Sequence, residues 1–155
     1  MTVAPRPSRR RRPAVAPLEL IDRCRPRTPP SFLRRVVREA LLFARQPDLH
    51  VSLLVTGDTE IADLHARFLG DPTPTDVICF PSDDGAEVVV SRDTAKRMAR
   101  EHGHTLRAEL ALYIVHGILH AAGFDDVKQR DRVRMRAAER EVMRRLHLDV
   151  RPVDA

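Results

Sequence analysis

The spacing of apolar residues along the chain predicts an alternation of helices and short strands. Apolar side chains recur every three or four residues in the helical stretches and cluster in shorter, valine- and leucine-rich runs where strands are expected. The predicted strands cover residues 15–22, 50–56, 76–80 and 87–90, and the predicted helices cover residues 30–44, 59–68, 93–102, 106–122 and 127–146. A chain of 155 residues suits one core. The order therefore predicts a single α+β domain, with a small mixed β-sheet flanked by helices.

Local sequence signals mark the ends of several elements. Asp58 is predicted to cap the second helix, because an aspartate side chain can accept hydrogen bonds from the free amides of a first helical turn. Ser91 or Asp93 is predicted to cap the third helix in the same way, and Gly103 to end it. Residues 81–85 are expected to turn the chain between the last two strands.

The helix over residues 106–122 is predicted to be central and buried. It is apolar on most of its sides, whereas a helix at the protein surface keeps one polar face. Two histidines, His116 and His120, interrupt this apolar surface. A polar ring inside a core needs a partner, so each histidine is either a hydrogen-bonded core residue or a metal ligand.

The spacing of the two histidines favours a metal site. His116 and His120 are four residues apart, so their rings project from one helix face at the separation that lets two imidazoles hold one ion. Gly123 can end the helix in a left-handed conformation, and the following turn can bring Asp126 back as a third ligand. These residues predict a catalytic site with one position open to a metal-bound water. Gly117 occupies the place of the catalytic glutamate of zinc proteases, so no protein base is assigned.

Composition and charge are typical of a soluble globular protein with a basic leading segment. Apolar residues make up 43% of the chain and charged residues 32%. The net charge of +5 is uneven: residues 1–35 hold ten arginines against two acidic residues, whereas residues 36–155 carry a net charge of −3. We therefore interpret residues 1–14 as a disordered basic tail rich in arginine and proline, residues 15–150 as the folded domain and residues 151–155 as a C-terminal tail. The basic tail is either a weak electrostatic contact for RNA or a solubilising segment.

Cysteine usage and hydropathy favour a cytoplasmic protein without membrane partners. The two cysteines, Cys24 and Cys79, are far apart and form no C-x-x-C motif, so a disulfide framework is not expected. The longest uncharged stretch, residues 110–124, is too short to span a membrane. Prolines interrupt any candidate signal-peptide core near the start.

Three segments, in this order, resemble the YbeY-type bacterial endoribonucleases. Residues 116–126 match the family element H-G-x-L-H-x-x-G-(Y/F)-D-H, and residues 74–81 match its segment P-T-D-V-x-x-F-P. A weaker match is the acidic-then-hydrophobic strand that ends in serine, here residues 87–91. The resemblance covers most of the chain from about Leu18 onward.

The resemblance implies a single-strand-specific, metal-dependent endoribonuclease that acts in small-subunit ribosomal RNA maturation and ribosome quality control. It implies one divalent ion per chain, Zn²⁺, held by His116, His120 and Asp126. Such an ion can activate a bound water as the nucleophile. The implied partners are single-stranded RNA, ribosomal RNA and ribosomal proteins. Asp76 is a candidate for orienting the ligand imidazoles.

The chain departs from the family pattern at two positions that bear on activity. The final histidine of the family element falls on Asp126, and aspartate is an acceptable oxygen ligand for zinc. An arginine common in the family falls on Leu69, which leaves Arg67 as the nearby candidate for substrate binding.

Other interpretations of the same residues remain open. A zinc metalloprotease would keep the ion but lacks the glutamate, and a non-catalytic ribosome-assembly factor would use the metal structurally. The arginines of the last helix could track a phosphate backbone, but we favour a solvated face balanced by Asp131, Glu139 and Glu141. His102 and His104 have no partner at ligand spacing and are expected at the surface or at helix ends.

Overall fold

The computed structural model describes residues 18–150. The tails predicted over residues 1–14 and 151–155, and the start of the first predicted strand, lie outside the described residues. The elements are β1 (Leu18–Asp22), α1 (Pro30–Phe43), β2 (His50–Thr56), α2 (Asp58–Leu69), β3 (Val77–Ser82), β4 (Gly85–Ser91), α3 (Arg92–His102), α4 (Leu106–Ala121) and α5 (Gln129–Arg145). The α+β class predicted from the sequence is confirmed. Within the described residues, no helix is long and apolar enough to cross a membrane.

The sheet is small and mixed, as predicted. Its strand order is β1-β2-β4-β3. β1, β2 and β4 run parallel, and β3 pairs antiparallel with β4 at the edge of the sheet. The helices α1 and α2 connect the parallel strands, as a parallel pairing requires.

The turn between β3 and β4 is shorter than the sequence prediction. Pro81 and Ser82 continue the strand and pair with Ala86 and Gly85, so only two residues, 83 and 84, turn the chain. Pro81 has no backbone N–H to donate. It is tolerated because β3 is an edge strand, and no further strand on its outer side needs that hydrogen bond. The prediction of a five-residue turn was therefore wrong.

The two faces of the sheet support different helices. Val88 and Val90 point into the main core, which also contains residues of α1, α4 and α5. Val89 points the other way, into a smaller cluster with Ile61 of α2. This alternation follows from the two-residue period of a strand. The helix α4 is buried over most of its length, as predicted, and lies between the sheet and the other helices.

Gly117 lies where α4 approaches the sheet most closely. A Cβ atom at this position would lie 2.6 Å from Cγ1 of Val88 and 3.0 Å from Cγ2 of Val77. Both distances are shorter than ordinary van der Waals contact. There is accordingly no room for a side chain at the position where zinc proteases carry their glutamate.

The end of α4 directs the chain toward the predicted third ligand. Gly123 adopts a φ of 104°, and the N–H groups of Gly123 and Phe124 donate to the carbonyls of His120 and Leu119. This is the left-handed helix end that the glycine was predicted to provide. The amide side chain of Gln46 donates to the carbonyl of Ala122 and satisfies another free acceptor.

Asp58 does not cap α2 as predicted. Its carboxylate accepts hydrogen bonds from the hydroxyls of Ser91 and Thr94, both at 2.7 Å, and from Arg97 at 2.5 Å. The backbone N–H of Asp58 instead donates to the carboxylate of Asp93 at 2.9 Å. The starts of α2 and α3 are adjacent. Asp58 of α2 therefore accepts hydrogen bonds from residues at the start of α3, and Asp93 of α3 accepts one from the start of α2.

The predicted ends of α3 are observed. The Ser91 hydroxyl accepts the N–H of Thr94 and caps the helix, and Gly103 ends it with a φ of 68°. Both features depend on residues close in sequence, which is why the pattern alone predicts them.

Candidate metal centre

The structure brings together the three residues that the sequence singled out. His116 and His120 occupy the last two turns of α4, and their Nε2 atoms lie 3.1 Å apart. Oδ2 of Asp126 lies 3.5 Å from Nε2 of His116 and 3.2 Å from Nε2 of His120. The carboxylate of Asp125 accepts the N–H groups of Asp126 and Val127 and so fixes the short loop that carries the third residue.

The separations of these three donor atoms fit a tetrahedral metal ion. With zinc–ligand bonds of about 2.0–2.1 Å, neighbouring donors of a tetrahedron lie about 3.3–3.4 Å apart. The observed triangle has sides of 3.1, 3.2 and 3.5 Å. Two imidazole nitrogens and one carboxylate oxygen are also a donor set that zinc accepts. The residues present therefore fit the ion that the family resemblance implies.

The triangle opens on one side to solvent. The side chains of His116 and His120 are each 28% exposed, and that of Asp126 is 39% exposed. A closed structural site would bury all its ligands and supply a fourth, whereas a catalytic site keeps one position free. Partial exposure of all three residues is the geometry of an accessible site.

Glu139 of α5 holds the outer nitrogen of His116. Its Oε1 lies 2.5 Å from Nδ1 of His116. A carboxylate can only accept, so Nδ1 carries the proton and Nε2 presents its lone pair to the other two residues. Metal-binding histidines are oriented by such carboxylates.

Sequence reasoning missed Glu139, which was expected on a solvated face. It follows the buried Met135 by four residues and precedes the buried Val142 by three. It therefore lies beside the apolar stripe of α5. A carboxylate at such a position needs a partner, and that signal could have identified it.

The surrounding charges raise the pKa of His116. Burial of the ring opposes its protonated form, but the hydrogen bond and charge of Glu139, followed by the charges of Asp126 and Asp76, outweigh burial. The pKa of His116 therefore lies above its ordinary value in the ion-free cluster. Because a ligand nitrogen must be unprotonated, protons compete with a metal ion here.

The two remaining sequence candidates differ in their relation to the site. Asp76 lies beside His116, and its carboxylate accepts the N–H of Val77 at 2.8 Å rather than contacting either histidine. Arg67 forms a pair with Asp63 at 3.3 Å, is 69% exposed and lines neither cleft beside the site. The structure therefore brings Asp76 to the site but not Arg67.

A second group of ionisable side chains lies at the start of α4. The buried carboxylate of Glu109 is 2.7 Å from Nδ1 of His104 and 3.3 Å from Nδ1 of His102. The His104 side chain is only 1% exposed, so of its two expected places, the surface or a helix end, the structure shows the helix end, between α3 and α4. The signal that could have identified the group is Glu109 itself, an acidic residue within an apolar helix.

The donors of this second group also lie close enough to hold a metal ion. The separation of 2.7 Å between Nδ1 of His104 and Oε2 of Glu109 is nevertheless a hydrogen-bond distance, below the spacing of metal ligands. Burial, the charge of Glu109 and a hydrogen bond with it raise the pKa of Tyr113, so the tyrosine joins the same group. The arrangement satisfies a buried carboxylate with three hydrogen-bond donors.

The three-residue site lies where two clefts meet. The larger, of about 550 Å³, runs between α3, α4 and α5, and the smaller, of about 330 Å³, runs along β3 and the end of α2. His116 and Asp76 line both clefts. A linear substrate can therefore pass across the site, with the segment before the site in one cleft and the segment after it in the other.

Comparison with known proteins finds a matching family model and similar named proteins. The family model described as Endoribonuclease YbeY matches residues 27–147. A protein named Endoribonuclease YbeY from Heliobacterium modesticaldum is 33% identical to this chain over 115 residues, which are 63% of this chain and 69% of that protein. Another of the same name, from Nautilia profundicola, is 37% identical over 106 residues, which are 65% of this chain and 75% of that protein. One from Aquifex aeolicus is 40% identical over 88 residues, 52% of this chain and 59% of that protein.

A solved structure supports the fold independently of these names. The solution structure of TM1509 from Thermotoga maritima superposes with a TM-score of 0.62 and covers 89% of this chain and 99% of that one. Its sequence identity of 24% supports the fold alone. The family model, by contrast, spans most of the described residues and all three segments of the sequence resemblance. The chain therefore belongs to the YbeY endoribonuclease family.

Proposed function

We propose that this protein is a metal-dependent endoribonuclease that cleaves single-stranded RNA, with one Zn²⁺ ion held by His116, His120 and Asp126. The observation that carries the proposal is the triangle of donor atoms, with sides of 3.1, 3.2 and 3.5 Å, at the junction of two open clefts. Relatives that are 33% and 37% identical to this chain are named Endoribonuclease YbeY.

A divalent ion, when bound, lowers the pKa of a coordinated water toward neutrality and stabilises negative charge on a phosphate oxygen. The residues of this chain position that chemistry. Glu139 keeps the proton of His116 on Nδ1, so that Nε2 is free to bind. Asp125 fixes the loop of Asp126 through two backbone hydrogen bonds.

The same geometry disfavours a peptidase. A zinc protease of the related helix motif needs a glutamate directly after its first histidine. Here Gly117 occupies that position and faces Val88 and Val77 of the sheet, with no space for a side chain. The proposed nuclease needs no such base, because activation of water is the chemistry that an ion held by His116, His120 and Asp126 would supply.

We further propose the setting in which this activity operates. Residues 15–150 form the catalytic domain, and the substrate is ribosomal RNA during maturation of the small subunit and ribosome quality control. The protein then acts in the cytoplasm, with ribosomal proteins as candidate partners. The support is membership of the YbeY family together with the shape of the two clefts.

A cleavage assay tests the proposal. The purified protein is incubated with a single-stranded RNA, with the corresponding duplex and with casein, after treatment with a chelator and after return of Zn²⁺. We expect cleavage of the single-stranded RNA alone, only with the ion present. His120→Ala should reduce the rate more than about a hundredfold, since loss of a ligand exceeds the effect of losing an outer partner.

The exposed His147, beyond the end of α5, provides the matched control, and His147→Asn should cleave like the parent. Zinc-dependent cleavage of casein would contradict the proposal in favour of a protease. Ribosomal RNA maturation that survives His120→Ala in cells, with the fold retained, would instead indicate an assembly factor.

A further inference from the structure

The larger cleft has an unusual balance of charge. Both acidic and basic side chains line it. The acidic side chains are Asp76, Glu109, Asp126 and Glu139, and the arginines are Arg97, Arg132 and Arg136. Acidic groups repel a polyanion such as RNA, so binding depends on the arginines that are not already neutralised.

Within the part of the chain that the structure describes, two of these arginines lack an acidic partner. Arg97 pairs with Asp58 at 2.5 Å and links α3 to α2. Arg132 donates to the backbone carbonyl of Val127 at 2.7 Å, which leaves its charge unmatched. Arg136 has no acidic partner among residues 18–150. Among residues 18–150, Arg132 and Arg136 are therefore the arginines of this cleft wall without an acidic partner.

The two arginines form a row along α5. They are four residues apart, which places them one above the other on the same face with a rise of about 6 Å. Arg136 precedes Glu139, the partner of His116, by three residues. Arg132 reaches the carbonyl of Val127, the residue after Asp126, so both arginines lie beside the three-residue site.

The smaller cleft offers no comparable group. Apart from Asp76 and the two histidines, its described lining is uncharged, and it contains no lysine or arginine: Leu69, Val77, Ile78, Cys79, Pro81 and Gly117. The arginines of α5 are accordingly the groups that can neutralise phosphate charge beside the site. The two clefts are chemically different: the larger has both acidic and arginine side chains, and the smaller is mainly apolar.

We propose that Arg132 and Arg136 form a phosphate-binding subsite for the nucleotides on one side of the scissile bond. The RNA is thus held asymmetrically, by its phosphates in the larger cleft and by apolar contacts in the smaller one. This inference rests on the proposed function for the identity of the strand, but the binding it describes does not require cleavage. The sequence suggested that these two arginines lie on a solvated face; the proposed subsite gives them a role in binding instead.

Binding of a fluorescein-labelled oligouridylate, measured by anisotropy in EDTA, tests this subsite without any cleavage. Single-stranded binding loses about 0.7 in the slope of log affinity against log salt for each phosphate contact removed. The double variant Arg132→Gln/Arg136→Gln should therefore bind about tenfold more weakly at low salt, with a slope reduced by about 1.4. Arg136→Lys, which keeps the charge, should retain the slope of the parent.

A matched double variant removes the same charge elsewhere. Arg134 projects from the other side of α5, and Arg38 is exposed on α1; neither lines the two clefts. Arg38→Gln/Arg134→Gln should bind like the parent. Glutamine is a good helix former, so both double variants should retain the parental helical content by circular dichroism.

The outcomes separate this inference from the proposed function. A parent that binds but does not cleave with zinc, and whose binding weakens in the Arg132 and Arg136 variant, supports the subsite and refutes the nuclease. In a cleaving parent, a raised KM with an unchanged kcat supports the subsite. Equal affinity and slope in parent and variant would overturn the subsite, as would a parent that does not bind the oligouridylate at all.

Discussion

Glu139 and His116 are joined by a hydrogen bond of 2.5 Å between Oε1 and Nδ1, across the contact of α5 with α4. The bond fixes which nitrogen of His116 carries the proton, and it directs Nε2 toward His120 and Asp126. Carboxylates in this position raise the basicity of a ligand histidine and hold its ring. The geometry of the site thus depends on a residue that is not itself a candidate ligand.

Glu139→Gln should weaken zinc binding by about 10- to 100-fold, since glutamine can accept the hydrogen bond but lacks the charge. Competition with a chromophoric chelator measures the change. Glu141→Gln is the control, because Glu141 is on the same helix but pairs with Arg144 and Arg145. Equal affinities in parent and Glu139→Gln would show that the pair does not tune the site.

Replacement of Asp126 tests whether the loop supplies the third ligand. Asp126→Ala should lower zinc affinity more than about a hundredfold, a larger effect than that of an outer partner. Asp126→His should retain tight binding, because histidine is an equally suitable zinc ligand. Isothermal titration with Zn²⁺ measures both. Undiminished affinity in Asp126→Ala would remove this residue from the ligand set.

Gly117→Ala should destabilise the protein by about 1–2 kcal/mol. The added methyl group would overpack the core against Val88. This cost exceeds the gain of about 1 kcal/mol that alanine brings in helix propensity. Urea unfolding measures the change. In a Val88→Ala background, where space is available, the same substitution should cost less. An equal cost in both backgrounds would contradict the close contact.

Stability should depend on pH through Asp58. Burial raises its pKa, but hydrogen bonds from Arg97, Ser91 and Thr94 outweigh burial and lower the pKa below its ordinary value. A lowered pKa in the folded state contributes stability that is present above the unfolded pKa, about 3.9, and is lost as pH falls through the folded value.

Asp58→Asn should therefore cost about 1–2 kcal/mol near neutral pH, and the difference from the parent should shrink below about pH 4. Urea unfolding at several pH values tests this. Asp63→Asn serves as the control, since its exposed pair with Arg67 contributes little. A difference that persists unchanged at low pH would show that the charge of Asp58 is not responsible.

The features that the sequence predicted are those determined by neighbouring residues. Gly103 and Gly123 end their helices because a positive φ is a local property of glycine. The spacing of His116 and His120 fixes their common face in the same way. Such signals need no knowledge of tertiary packing, and neither does the spacing of apolar residues from which the α+β class was predicted.

The features that the sequence did not predict depend on contacts between distant segments. Asp58 was expected to cap its own helix, but its partners lie more than thirty residues away on α3. Glu139 and His116 are 23 residues apart. Pro81 continues β3 only because the strand lies at the edge of the sheet. In each case the partner is set by packing that no local pattern contains.

The central claim is that one ion is held by the three residues at the end of α4. Native mass spectrometry of the protein loaded with Zn²⁺ tests it most directly, with His116→Ala, Asp126→Ala and His102→Ala measured beside the parent. We predict one zinc ion per chain in the parent and in His102→Ala, and none in the other two variants. A parent without zinc, or retention of the ion by His116→Ala with its loss from His102→Ala, would contradict the account.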